Sequence, residues 1–196
     1  MNRNHVVLAE HISRAALSSL GAALAWMNRR LLGQNQPDTA RFTALAAGSP
    51  PGANGLFFWP ALALERGPWW SGQPSGALLG LSQTHTEADM ARATLEGLAI
   101  AARLMAERME AHYGPVKGEL LCVAGGADSP LVWQITADIF GQPVFVLQHV
   151  HASAAGMATL ASIAAGNLTL AGAWSTQNLQ WRVVEPSPHG TLRRPS

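Results

Sequence analysis

Two residue pairs with chemical potential, Gly125-Gly126 and Ser129-Pro130, stand within CVAGGADSPLVWQITADIFGQPV, residues 122 to 144. There an apolar run stops on the glycines and an amphipathic segment begins. Glycine has no Cβ, so a ligand can lie against the main chain, and positive φ comes cheaply. Ser129 reads as an N-cap and Pro130 as the first helical residue, because proline gives up an amide hydrogen that a first turn leaves unused. A helix N-terminus points free amides and a positive dipole end at whatever lies before it, which suits an anion or a polar ligand edge. A plain strand-to-helix turn would use the same residues, so this corner alone names no ligand.

Other chemistry is thinly represented. GGADS lacks the Gly-Lys-Ser/Thr of a phosphate loop and the third glycine of a dinucleotide fingerprint. The seven histidines form no H-x-x-x-H pair, so no zinc site is read, and His149 and His151 flank an expected strand end. No Gly-x-Ser-x-Gly elbow marks a serine hydrolase. Asp138 falls mid-helix and reads as a structural hydrogen-bonding residue. Glu65 and Arg66 either brace a loop as an ion pair or shape a cleft.

Composition narrows the partners. The 196 residues carry a formal charge of +1 and only 13% charged side chains, with 48% hydrophobic. Lys117 is the only lysine. Neither a nucleic-acid face nor a polybasic membrane patch is expected from that balance. No apolar run nears the roughly eighteen residues of a spanning helix, and Ser13, Arg14, Ser18 and Ser19 interrupt the richest one. Cys122 is the single cysteine; it permits no internal disulfide and fits a reducing cytosol, so a cytoplasmic protein is expected.

The elements that must position these residues follow from periodicity. Ile12, Ala16, Leu20, Ala23, Met27 and Leu31 recur at helical spacing, predicting a helix from His11 to Leu32. A short helix is expected over 37–47, then a turn cluster at GSPPGANG. LFFWPALALE and GALLGLS read as strands. Thr86 opens the longest helix, with Asp89 in the capping-box position and a stripe of Leu95, Leu98, Ala102, Met105 and Met109. Strand 119–124, helix 129–140, strand 143–147 and helix 152–166 then alternate, which predicts βαβ units and a largely parallel sheet. In such sheets ligands sit beyond the carboxyl ends of the strands, where Gly125 and Gly126 fall. WRVVEP reads as an edge strand and SPHGTLRRPS as a tail.

Residues 76 to 97, GALLGLSQTHTEADMARATLEG, resemble the second signature of the FGGY carbohydrate kinases. Gly76, Leu78, Gly80, Leu81, Asp89, Met90, Ala93, Thr94, Leu95 and Glu96 fill that pattern without a gap. Upstream, GLFFWPALALERGPWW is similar to the family's apolar strand, Glu-Arg, Pro and aromatic run, with Leu64 where a glycine usually stands. Downstream, AGGADSPLVWQITADIFGQPV and HASAAGMATLASIAAG are similar to its adenosine-binding corner and the helix behind it. These matches run in order over residues 15 to 186.

The resemblance implies an α/β, ribonuclease-H-like and actin-like ATPase domain, a mostly parallel sheet flanked by helices. Family members pair two such domains, bind ATP and sugar between them, and transfer the γ-phosphate to a sugar or polyol hydroxyl. This chain resembles the C-terminal, nucleotide-side domain, expected over 11–186 between tails at 1–10 and 187–196, with the N-terminal sugar and catalytic domain absent. By the resemblance, Gly125 and Gly126 lie against the adenosine, Ser129 offers a hydrogen bond near base or ribose, and Gly21 lies near the nucleotide. Ala25 takes a place where several relatives carry a polar contact. The cofactors implied are ATP and Mg²⁺, the metal held mainly by the missing domain, which also carries both catalytic aspartates. No catalytic or metal residue is therefore expected here, and no turnover from the chain alone. The resemblance is nearest to xylulokinases; a gluconokinase-like or other polyol kinase and a non-catalytic nucleotide-binding remnant are the alternatives. A separate N-terminal half or a homodimer are the protein partners implied.

Overall fold

The computed structural model describes residues 2–4, 11–13, 17, 20–63, 73–115, 118–122, 129–147, 152–169, 172–173 and 180–188. They fall in two compact units, Met1–Lys117 and Gly118–Ser196. In the first, β1 (Asn2–Asn4) pairs antiparallel with β2 (His11–Ser13). Helix α1 (Leu20–Leu32) and helix α2 (Thr39–Ala46) follow. The helix expected from His11 therefore begins at Leu20, because His11–Ser13 is drawn into pairing with Asn2–Asn4. That pairing joins residues up to eleven positions apart (13 − 2), which a periodicity over one segment does not register.

The turn from α1 into α2 is locked by one buried side chain. Asn28 Nδ2 donates to Asp38 O at 3.0 Å, and Asp38 N donates to Asn28 Oδ1 at 3.0 Å. Asn28 is fully buried, so both ends of its amide must be satisfied, and the Asp38 backbone satisfies one of each kind. Asp38 in turn caps α2, its carboxylate accepting from Arg41 N at 2.9 Å.

Strands β3 (Phe57–Trp59) and β4 (Ala77–Leu79) pair antiparallel, Phe58 opposite Leu78. Helix α3 (Glu87–Tyr113) is the spine of this unit, 27 residues and so about 40 Å long. It starts where Thr86 and Asp89 form a capping box: Asp89 N donates to Thr86 Oγ1 at 3.3 Å and Thr86 N donates to Asp89 Oδ2 at 2.8 Å. Its buried residues include the small Ala91, Ala93, Gly97 and Ala101 beside Thr94, Leu95 and Met105. The buried face receives β3, and also packs on α1 and α2. A Cβ added at Gly97 would overlap the Phe58 carbonyl oxygen and lie 3.0 Å from its carbon. Backbone thus lies directly on backbone at this crossing, and only glycine fits.

In the second unit, β5 (Leu120–Cys122) pairs parallel with β6 (Val144–Leu147), which pairs antiparallel with β7 (Trp181–Val184). The expected largely parallel sheet is represented among the described residues by that single parallel pairing. Helix α4 (Pro130–Phe140) covers one face of this sheet, Trp133 and Ala137 packing on Val144 and Val146 with Leu120, Cys122 and Val184 around them. Arg182 lies 5.5 Å from the Trp133 ring centroid and shields that edge of the cluster. Burial pushes the Cys122 thiol pKa up, as expected of a small apolar filler. Helix α5 (Ala152–Ala164) completes the unit. Among the described residues no helix is long and apolar enough to cross a membrane.

The Gly97 crossing gives a prediction with a definite sign. In an exposed helix, glycine to alanine gains about 1 kcal/mol. At Gly97 the added methyl meets a carbonyl that cannot rotate aside, and overpacking of this kind costs roughly 1–3 kcal/mol. Gly97→Ala should therefore lower the urea midpoint despite its better helix propensity; a raised midpoint would show that α3 and β3 are not in contact there.

Candidate functional site

The second unit places Ser129 and Pro130 as the sequence suggests. Ser129 is the N-cap of α4, with extended backbone (φ −141°, ψ 129°), and Pro130 opens the helix. The unexpected feature is its hydroxyl. It makes no capping bond, and among the described residues no other hydrogen bond, although Ser129 is only 8% exposed. A buried hydroxyl normally has a partner, and an unmet one costs free energy. Such a group at a helix N-terminus is where a ligand atom would complete the bonding. Gly125 and Gly126 lie outside the described residues.

The far end of α4 is accounted for by structure alone. Asp138 Oδ1 accepts from Gln134 Nε2 at 2.9 Å and from Ser187 N at 2.6 Å, and Gln134 Nε2 also donates to Glu185 O at 2.9 Å. This carboxylate fastens the chain leaving β7 onto α4. The structural reading of Asp138 agrees with these bonds.

In the first unit, Gly21 sits in the first turn of α1 and is exposed. A Cβ built there would meet nothing within 4 Å, so open space borders its backbone. Ala25, one turn on, is half-buried. The neighbouring stripe of α1 lines a groove of about 410 Å³ through Ala22, Trp26 and Arg29, facing Leu62 and Ala63. A second cleft of about 430 Å³ lies between Leu31, Leu32, Arg41, Ala44, Leu45 and Glu87. Glu65 and Arg66 lie outside the described residues.

Among the described residues one carboxylate has a strongly displaced pKa, a feature that active-site groups often share. Asp89 is 3% exposed. Its Oδ1 accepts from Ser49 Oγ at 2.6 Å and from Asn54 Nδ2 at 2.8 Å; its Oδ2 accepts from Thr86 N and Thr86 Oγ1, both at 2.8 Å. The Ser49 hydroxyl first, then the Thr86 amide and hydroxyl, and last Asn54 hold the carboxyl well below the ordinary carboxylate range, outweighing burial. Four donors fill the lone pairs, leaving none for a substrate proton. Asp89 is a fold-building anion. The sequence reading found its capping role but missed Ser49 and Asn54, which lie 40 and 35 residues away.

Comparison with known proteins bears on the whole chain. Residues 8–165 match the C-terminal domain of the FGGY family of carbohydrate kinases. A xylulose kinase of Staphylococcus epidermidis is 33% identical over 163 residues, covering 83% of this chain and 32% of its own length. A glycerol kinase of Citrifermentans bemidjiense is 34% identical over 148 residues, covering 76% of this chain and 29% of its own. Among solved structures, the xylulose kinase of Rhodospirillum rubrum superposes with a TM-score of 0.79 at 28% identity, covering 97% of this chain and 38% of that one. The chain spans about a third of the length of the curated relatives it matches.

The Asp89 cluster predicts an acid limb of stability. Because the folded pKa lies below the ordinary 3.8, the carboxylate's contribution is complete above that value and is lost as pH falls toward the folded pKa. Asp89→Asn should unfold at lower temperature than wild type at neutral pH, with the gap closing as the pH is taken below about 4. A gap that stays constant through the acid range would assign the stabilisation to shape rather than charge.

Proposed function

This chain belongs to the FGGY family of carbohydrate kinases, and from that membership we propose that it is the ATP-binding, C-terminal half of a kinase that moves the γ-phosphate of ATP to a hydroxyl of a sugar or polyol. The observation that carries the reading is the buried Ser129 hydroxyl at the start of α4, which makes no capping bond and has no partner among the described residues, next to Gly125-Gly126 in sequence. A flat purine can slide over main chain that bears no Cβ. Ser129 then supplies the hydrogen bond at its polar rim, or at the ribose, and the first-turn amides of α4 complete that rim. Separately, Gly21 of the first unit is proposed as a nucleotide contact on the family resemblance, and a Cβ built there meets nothing within 4 Å. A nucleotide therefore fits the residues present.

The same residues assign no chemistry of bond breaking to this chain. Phosphoryl transfer to a hydroxyl requires a base for the proton and charge compensation at the phosphates, which Mg²⁺ supplies when bound. Both oxygens of Asp89, and Oδ1 of Asp138, already accept bonds from the fold. Among the described residues no three His, Cys, Asp or Glu side chains gather to hold a metal. The base and the metal ligands are proposed to belong to an N-terminal kinase domain, with the nucleotide-side domain over 11–186 here. Xylulose is the preferred acceptor, since the Staphylococcus epidermidis relative, 33% identical over 163 residues, and the Rhodospirillum rubrum structure, with a TM-score of 0.79, are both xylulose kinases. The glycerol kinase relatives favour a polyol as the second reading.

Calorimetric titration with ADP tests this reading. The folded chain should bind ADP saturably. Gly126→Val should abolish binding with its circular dichroism unchanged, since the branch fills the space claimed for the purine, and Ser129→Ala should weaken it roughly tenfold through one lost hydrogen bond. Absence of saturable heat with folded protein would overturn the proposal. Xylulose-dependent ATP consumption is expected only when an N-terminal FGGY domain is supplied.

A further inference from the structure

The outer surface of α2 is not that of an ordinary surface helix. Its exposed positions are Ala40, Arg41 and Ala44, with Ala47 exposed at the C-cap. A helix on a globular surface usually turns charged and polar side chains outward. Here the outward residues are alanines around a single cation, so a second backbone can come close. The inward face is already committed: Phe42, Thr43 and Ala46 are buried, and α2 packs on α3.

Arg41 is not explained by its own helix. It sits in the first turn of α2, where the dipole is positive and a cation is disfavoured. Its amide donates to Asp38, but its guanidinium has no hydrogen bond or ion pair among the described residues. The cleft of about 430 Å³ beside it is lined by three half-buried leucines, Leu31, Leu32 and Leu45, and by Ala44. Glu87 also lines it, exposed in the first turn of α3, and its carboxylate is equally without a partner among the described residues. One apolar cleft therefore carries a cation and an anion that do not pair with each other.

We propose that this cleft and the outer face of α2 form the interface between two copies of this chain, related by a two-fold axis, with Arg41 of each copy against Glu87 of the other. In a two-fold interface, whenever residue i meets residue j, j also meets i. A patch with one unpaired cation and one unpaired anion on an apolar bed satisfies that rule. An axis running between the two charges sets each against its opposite, and does so twice. A partner carrying a single sign of charge would answer one of them and repel the other. The leucines and alanines supply apolar contact, and the two ion pairs fix the register. The proposal does not rest on the nucleotide reading, whose Ser129 and α4 belong to the other unit.

Sedimentation velocity on the full chain, from micromolar to millimolar concentration, tests the interface. Wild type should form a dimer whose affinity falls as salt is added. Arg41→Glu and Glu87→Arg each place like charges together at both contacts. Either change should raise the dimer dissociation constant at least roughly tenfold, with the circular dichroism unchanged because both side chains are exposed. Mixing the two variants puts opposite charges back at both contacts, so the mixture should recover a dimer that neither variant forms alone. The chain carrying both substitutions should dimerise again as well. A wild-type chain that stays monomeric, as it would if the cleft took a small zwitterion instead, overturns the proposal. So does a dimer indifferent to both reversals, or a mixture of folded variants that fails to recover it.

Discussion

The Phe58 carbonyl lying on Gly97 is the constraint on which the first unit depends. Backbone meets backbone there, so the β3–β4 hairpin can come down onto α3 only at a residue without a Cβ. Alanines on the same face of the helix extend the close approach along its length. The loop feeding β3 turns left-handed at Gly52, Ala53, Asn54 and Gly55, with φ of 84°, 47°, 54° and 87°. Two carboxylates about two turns apart on α3, Asp89 and Glu96, reach back to hold that turn, accepting from Asn54 Nδ2 and Gly52 N.

The second unit uses its polar groups differently. At the C-terminal half of α4, Asp138 Oδ1 and Gln134 Nε2 tie the helix to the chain after β7. At the N-terminus of the same helix, the Ser129 hydroxyl makes no capping bond and has no partner among the described residues. The helix itself is anchored through Trp133 and Ala137 in the apolar cluster.

Much of this was legible in the sequence where the determinants are local. Thr86-x-x-Asp89 announced the start of α3, and Ser129-Pro130 that of α4, because capping chemistry acts within a single turn. The strands within LFFWPALALE and GALLGLS were found from their apolar runs, and the pairing that joins them is antiparallel. What stayed hidden acts across the chain. Nothing near Gly97 signals that a strand from forty residues earlier will sit on it. GSPPGANG declared a turn, but its left-handed form is held by Glu96 and Asp89. The strand at His11–Ser13 was absorbed into a helical period because its partner is outside the window. Gly125, Gly126, Glu65 and Arg66 fall outside the described residues, and their roles rest on the family resemblance and on Ser129 beside them in sequence.

The claim on which the rest turns is that the start of α4, at Ser129, receives a nucleotide. Exchange footprinting with and without saturating ADP addresses it most directly. Slowed exchange is predicted in residues 124–132, with the amides of β3 and β4 unchanged. Slowing confined to other segments, such as the cleft between Leu31 and Glu87, or none at all in folded protein, would contradict it.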